Sequence, residues 1–95
     1  MQYYQYIVNI MHPALRRLDL NLLLFFDTVF RHQSVIWAAS ELAMSNSVLR
    51  HALRRLRKTF NDEVFYRSGQ EMRPTVFAVG LSDNISDSLR TLVKV

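Results

Sequence analysis

Residues 34–60, SVIWAASELAMSNSVLRHALRRLRKTF, hold two amphipathic segments joined by a short link, and this stretch decides the fold. Ser34 can satisfy the open amides of a helix start, and Val35, Ala38, Ala39 and Leu42 then share one stripe at about 100° per residue. The paired alanines let another helix approach closely. Ala43, Met44 and Ser45 form the link, and Ser45 is again a good cap. Beyond it, Leu49, Ala52, Leu53, Leu56 and Phe60 project within about 100° of one another, as a core-facing stripe should. Asn46, Arg50, Arg54 and Arg57 cluster beside that stripe, with Ser47, His51 and Lys58 just beyond. Two short helices joined by about three to four residues have helix-turn-helix spacing. The second has an apolar back and a cationic, hydrogen-bonding front.

Upstream, Asp19 stands before a run from Leu20 to Phe30 that is apolar on nearly every side, which predicts a capped central helix packed on more than one face. Residues 1–17, with Tyr3, Tyr4 and Tyr6 but no clear period, read as a flexible arm, and Met11 offers a second start. Downstream, Asn61-Asp62 breaks the helix. Val64-Phe65-Tyr66-Arg67 and Met72-Arg73 then flank the turn dipeptide Ser68-Gly69 as a small hairpin, a wing. Pro74 stops it, and Thr75 starts a last helix with Ala78, Leu81, Ile85, Leu89, Leu92 and Val95 near one face. The expected architecture is mainly α: a winged helix-turn-helix over 18–74, with a three-helix core and a β-hairpin wing, then a linker helix over 75–95.

The charges are unevenly placed. The chain has 12 Lys and Arg against 8 Asp and Glu, a net charge of +4, and Arg50, Arg54, Arg55, Arg57 and Lys58 fall between Ser45 and Phe60 with no acid among them. A local positive field of this kind suits a polyanion. With 95 residues there is little room for a deep catalytic cleft. With no cysteine there is no disulfide framework or thiolate site, and His12, His32 and His51 lack ligand-like spacing, so no metal or cofactor is expected. No paired carboxylates, nucleophile with base, or phosphate-cradling glycine loop points to an enzyme. No signal peptide or membrane span is read, and the expected place is the cytoplasm.

Duplex DNA presents closely spaced phosphates to Lys and Arg, and a single helix fits its major groove, where Arg, Asn, Ser and His meet base edges. Ser45, Asn46, Ser47, Arg50, His51 and Arg54 have the placement for base reading. Ser34, Arg55, Arg57 and Lys58, with Arg67 and Arg73 on the wing, are the expected backbone contacts. A charged face alone is as readily a solvated one; the cap, turn and alanine-rich helix before it favour the groove. Trp37 points away from its helix's stripe and is given no role.

Leu18-Asp19-Leu20-Asn21-Leu22-Leu23, Ser34 with Ala38-Ala39 and Leu42, Ser45 onward, Val64-Phe65-Tyr66-Arg67 and Arg73-Pro74-Thr75 together resemble the N-terminal domain of LysR-type transcriptional regulators, over about 18–92. The resemblance implies a bacterial, cytoplasmic, DNA-binding dimer with a linker helix after the wing and a separate effector-binding domain beyond it. It sets Asn46 and Ser47 at the start of the reading helix and Arg67 as the wing arginine on DNA backbone. It also marks departures. Arg50 stands where a small Ser is usual, Ile36 replaces a frequent Thr, and Val48 replaces a frequent Ala at a tight helix contact, where overpacking commonly costs about 1–3 kcal/mol. The chain ends inside the expected linker helix, so no small-molecule effector site is expected in it.

Sequence-specific binding of double-stranded DNA is the function expected. The alternatives are a module that pairs with a longer regulator through 75–95, or a remnant without function. A homodimer or such a heterodimer is the protein partner expected, through Ala78, Leu81, Ile85, Leu89 and Leu92. Gly80, Ser82, Asp83 and Asn84 lower the helix propensity of that segment and make a two-helix contact marginal. Arg50 and Arg54 to Ala are expected to abolish the first function, and Ile85 and Leu89 to Asp the second.

Overall fold

The computed structural model describes residues 20–94. Its elements are α1 (Leu20–His32), α2 (Val35–Leu42), α3 (Asn46–Phe60), β1 (Phe65–Ser68), β2 (Glu71–Pro74) and α4 (Val76–Lys94). This is a winged helix-turn-helix, with the wing and the last helix in the order expected. The N-terminal arm and the Asp19 cap lie outside the described residues, as do the side chains of Leu89 and Leu92.

α1 is the central helix and packs against α2, α3, α4 and β2. Its Phe26 and Val29 are fully buried and meet Ala38 and Ala39 of α2, Leu49, Leu53 and Leu56 of α3, and Phe65 of β1 in one apolar cluster. The Phe26 ring lies 5.3 Å from that of Phe65 and 5.9 Å from that of Phe30. The two alanines are the reason α2 can lie close to its neighbours.

The chain turns each corner with a residue at positive φ. Gln33 (φ 54°), Ala43 (φ 55°) and Asn61 (φ 52°) end the three helices. At Ala43 the N–H bonds Ala39 and Ser40 carbonyls and Met44 N–H bonds Ala39 O at 3.0 Å, so the last carbonyls of α2 are satisfied. A non-glycine residue there costs about 1–2 kcal/mol, which the tertiary packing must offset. Gln33 O accepts from Met72 N–H at 2.9 Å and so pins the wing to the α1–α2 corner.

The wing is a two-stranded antiparallel hairpin with Ser68 opposite Glu71 and Phe65 opposite Pro74. Gly69, at φ +64°, supplies the left-handed conformation that the tight turn needs. Thr75 N–H bonds Val64 O at 3.0 Å, which places Phe65 and Pro74 as a pair without hydrogen bonds to each other. Proline is tolerated at that place because its missing N–H would face away from the partner strand.

Two expectations are corrected. Ala78, Leu81 and Ile85, expected at a dimer contact, are buried in the chain's own core. α4 packs on α1 and β2, and this takes up the first part of its apolar stripe, Ala78, Leu81 and Ile85, within one molecule. The same burial holds the helix through Gly80, Ser82, Asp83 and Asn84, because tertiary packing outweighs intrinsic propensity. Val48 is 53% exposed, so it does not sit in a tight helix contact and does not overpack one.

Candidate nucleic-acid interface

Two serines start the helices of the motif. Ser34 Oγ accepts from Trp37 N–H at 3.2 Å and Ser45 Oγ from Val48 N–H at 3.1 Å, each closing one of the amides a helix start leaves open. Both residues were expected at the interface, and their acceptor oxygens are engaged in capping. α3 then buries Leu49, Ala52, Leu53 and Leu56 and turns Asn46, Ser47, Arg50, His51 and Arg54 to solvent, with Arg55 and Lys58 further along. From Asn46 to Arg54 the helix advances by about 12 Å, a rise comparable to three or four base steps.

The described cations divide by partner. Arg31, Arg57 and Arg73 are paired within the chain: Arg31 with Asp27 and Glu41, Arg73 with Glu71 at 3.1 Å, and Arg57 with main-chain carbonyls. Arg50, Arg54, Arg55, Lys58 and Arg67 have no hydrogen-bond or ion-pair partner among the described residues. These five are exposed to solvent. Arg57 and Arg73, expected as backbone contacts, thus have partners within the chain.

Three surface depressions connect the free cations. A cleft of about 250 Å³ is lined by Ser34 and Ile36 at the start of α2, Arg50 of α3, and Arg67, Gln70 and Met72 of the wing. A second sets Arg50 and Arg54 beside Arg57, Val35 and Leu53. A third, shallower, is lined by His51, Arg54, Arg55, Arg57 and Lys58. No carboxylate lines any of the three. The first cleft brings together residues that lie far apart in sequence, Ser34, Arg50 and Arg67, all expected at the interface. Ile36 was noted only as a departure, Met72 only as a strand residue of the hairpin, and Gln70 not at all. Their place follows from the wing's register, which no local pattern carries.

Asp62 and Glu63 border the end of α3 beside Arg57, and Glu71 pairs with Arg73 on the wing, while another acid lies away from this front. Glu41 of α2 bonds Arg31 at 2.9 Å and His32 Nε2 at 2.7 Å, joining the end of α1 to α2. The Arg31 and His32 bonds lower the Glu41 carboxyl to about 2, and Glu41 in turn raises Arg31 above its usual value. Among the described residues no three His, Asp or Glu form a metal site, and no helix is long and apolar enough to cross a membrane.

The hairpin beside a helix-turn-helix with an acid-free cationic front defines a winged-helix module of the kind found in bacterial regulators. The chain belongs to the lysR family of bacterial regulatory helix-turn-helix proteins, whose model matches residues 20–78. It is 41% identical over 78 residues to the HTH-type transcriptional regulator LeuO of Escherichia coli strain K12, a match covering 82% of this chain and 25% of that protein. A probable transcriptional regulator from Pseudomonas aeruginosa superposes with a TM-score of 0.82 at 53% identity, covering 87% of this chain and 28% of the other. The fold also matches the BenM DNA-binding domain solved with benA site 1 DNA, with a TM-score of 0.76 at 18% identity, covering 81% of this chain and 90% of that one. This chain spans about a quarter of the length of LeuO and of the Pseudomonas protein.

Proposed function

We propose that this chain binds duplex DNA sequence-specifically and serves as the DNA-reading module of a lysR-family transcriptional regulator. The observation that carries the reading is the set of five cations without a partner among the described residues, Arg50, Arg54, Arg55, Lys58 and Arg67, around depressions of α3 and the wing that no carboxylate lines. Asn46, Ser47, Arg50, His51 and Arg54 lie along the outward row of α3 and are assigned to base edges. Arg55, Lys58 and Arg67 are assigned to phosphates, with Ser34 able to donate its hydroxyl hydrogen while its oxygen caps α2. Residues 18–74 form the reading unit in this proposal, and 75–95 the linker helix. The work is regulation of transcription in the bacterial cytoplasm and not catalysis, in keeping with the family.

Pairing with a second copy or a longer regulator is a further part of the reading, and exposure redirects it to another face of α4. Val76 is 92% exposed and Val79 49%, whereas Ala78, Leu81 and Ile85 are taken up by the core.

Binding of a duplex pool, followed by fluorescence anisotropy at rising salt, tests the electrostatic part. Neutralising Z phosphates gives a slope of log affinity against log salt of about −0.9Z, so the three cations assigned to phosphates, Arg55, Lys58 and Arg67, contribute about −3 per chain. A slope near zero would remove the proposal.

A further inference from the structure

Arg57 is the cation that its sequence position places on the DNA face and the structure uses elsewhere. Its Nε donates to Glu63 O at 2.9 Å and its terminal nitrogen to Phe65 O at 3.5 Å. Its own carbonyl accepts from Asn61 N–H, the cap of α3, and from Asp62 N–H at 3.3 Å. One residue therefore closes the end of α3 through its main chain and reaches the first strand of the wing through its side chain.

The segment it holds is anchored by the burial of Val64 and Phe65 and shaped by a tight local turn. Phe65 N–H bonds Glu63 O at 2.6 Å around Val64, whose φ of 66° is a strained conformation for a β-branched residue. Because Phe65 and Pro74 form a pair without mutual hydrogen bonds, the Phe65 carbonyl faces away from β2 and finds its donor in Arg57. On the other side, Asp62 Oδ1 accepts from Val64 N–H at 2.7 Å and from Thr75 Oγ1–H at 2.8 Å, tying the turn to the start of α4. The wing carries Arg67 two residues beyond Phe65, so the brace sets where that guanidinium stands relative to α3.

We infer that Arg57 is a positioning residue: its planar fork clamps the Glu63 and Phe65 carbonyls and so seats the wing, and with it Arg67, against the DNA. The inference rests on the DNA-binding reading for its consequence and on the free protein alone for its geometry. What matters is the two-pronged donor and not the charge, and a lysine ammonium cannot reproduce that fork.

Two measurements on the 95-residue chain test it. In the DNA-free protein, amide hydrogen exchange across 63–73 is expected to quicken in Arg57→Gln and Arg57→Lys alike, while α1 and α2 keep their protection. Unchanged wing protection in both variants would overturn the inference whatever the protein binds. With a duplex selected by the wild-type chain, Arg57→Lys and Arg57→Ala are expected to weaken binding about equally, by about tenfold. In an Arg67→Ala background Arg57→Ala is expected to add less than about twofold, because coupled residues are not additive. Retained affinity in Arg57→Lys together with additive losses would make Arg57 a direct phosphate contact and overturn the proposal. Failure of the wild type to bind any duplex would instead strike the functional reading and leave the exchange result standing.

Discussion

Arg50 is the residue on which the proposed specificity turns. It lines both the cleft shared with Arg67 and the depression shared with Arg54, and it has no partner of its own among the described residues. Under the proposed reading, a guanidinium at that seam is placed to meet a guanine edge as a bidentate donor. Arg50→Ala is therefore expected to cost about 1–3 kcal/mol on the selected duplex and to relax preference at one base position. Arg55→Ala, further along the helix, is expected to weaken all duplexes alike and to reduce the salt slope by about one. Titration of a selected duplex and its single-base variants separates the two. The residue usual at position 48 was a warning that did not apply: with its side chain 53% exposed, Val48→Ala is expected to shift stability by less than about 0.5 kcal/mol. Phe26→Ala, at a fully buried ring contact, is expected to lose about 3–5 kcal/mol in urea unfolding.

The helices of the motif are held to the body by local devices and by one ionic brace. Glu41 of α2 holds Arg31 and His32 at the end of α1. Its carboxyl falls from 4.5 to about 2 in the folded chain. A depressed folded value stabilises above the unfolded one, so the contribution is fully present above about pH 4.5 and is lost as pH falls through 4.5 toward 2. The melting-temperature gap between wild type and Glu41→Gln is therefore expected at pH 6 and largely lost at pH 2; a gap undiminished at pH 2 would show that Glu41 acts other than by its charge. The helix starts at Ser34 and Ser45 and the breaks at Asn61 and Gly69 are legible in sequence because each is a local choice of cap or turn residue. Arg57 and Asp62 were not, because their partners are main-chain groups whose positions depend on the turn around Val64. Nothing in the local pattern marks Val64 for a positive φ.

In the molecule taken together, one apolar cluster joins α1, the helix-turn-helix, the wing and the first turns of α4, so the last helix is part of the body that carries the reading face. The periodicity of 75–95 showed an apolar stripe, and no sequence pattern tells whether such a stripe meets its own chain or another. The structure answers for Ala78, Leu81 and Ile85, and the answer changes the test. Ile85→Asp puts a charge at a site with no exposure and is expected to destabilise the fold by about 3 kcal/mol or more, seen as a large fall in melting temperature. Val76→Asp and Val79→Asp leave the core intact and are expected to keep the melting temperature within a few degrees. Sedimentation of those two variants is the sound probe of pairing through α4.

Selection of bound sequences from a random duplex library at near-physiological salt, where phosphate-only binding largely drops away, goes straight to whether this chain reads sequence. A defined motif is expected to emerge for the wild-type chain, with a guanine whose enrichment disappears in Arg50→Ala; two half-sites at fixed spacing would add that the reader is a dimer. No enrichment, from protein shown to be helical and cooperatively folded, would contradict a sequence-specific role for the face of α3.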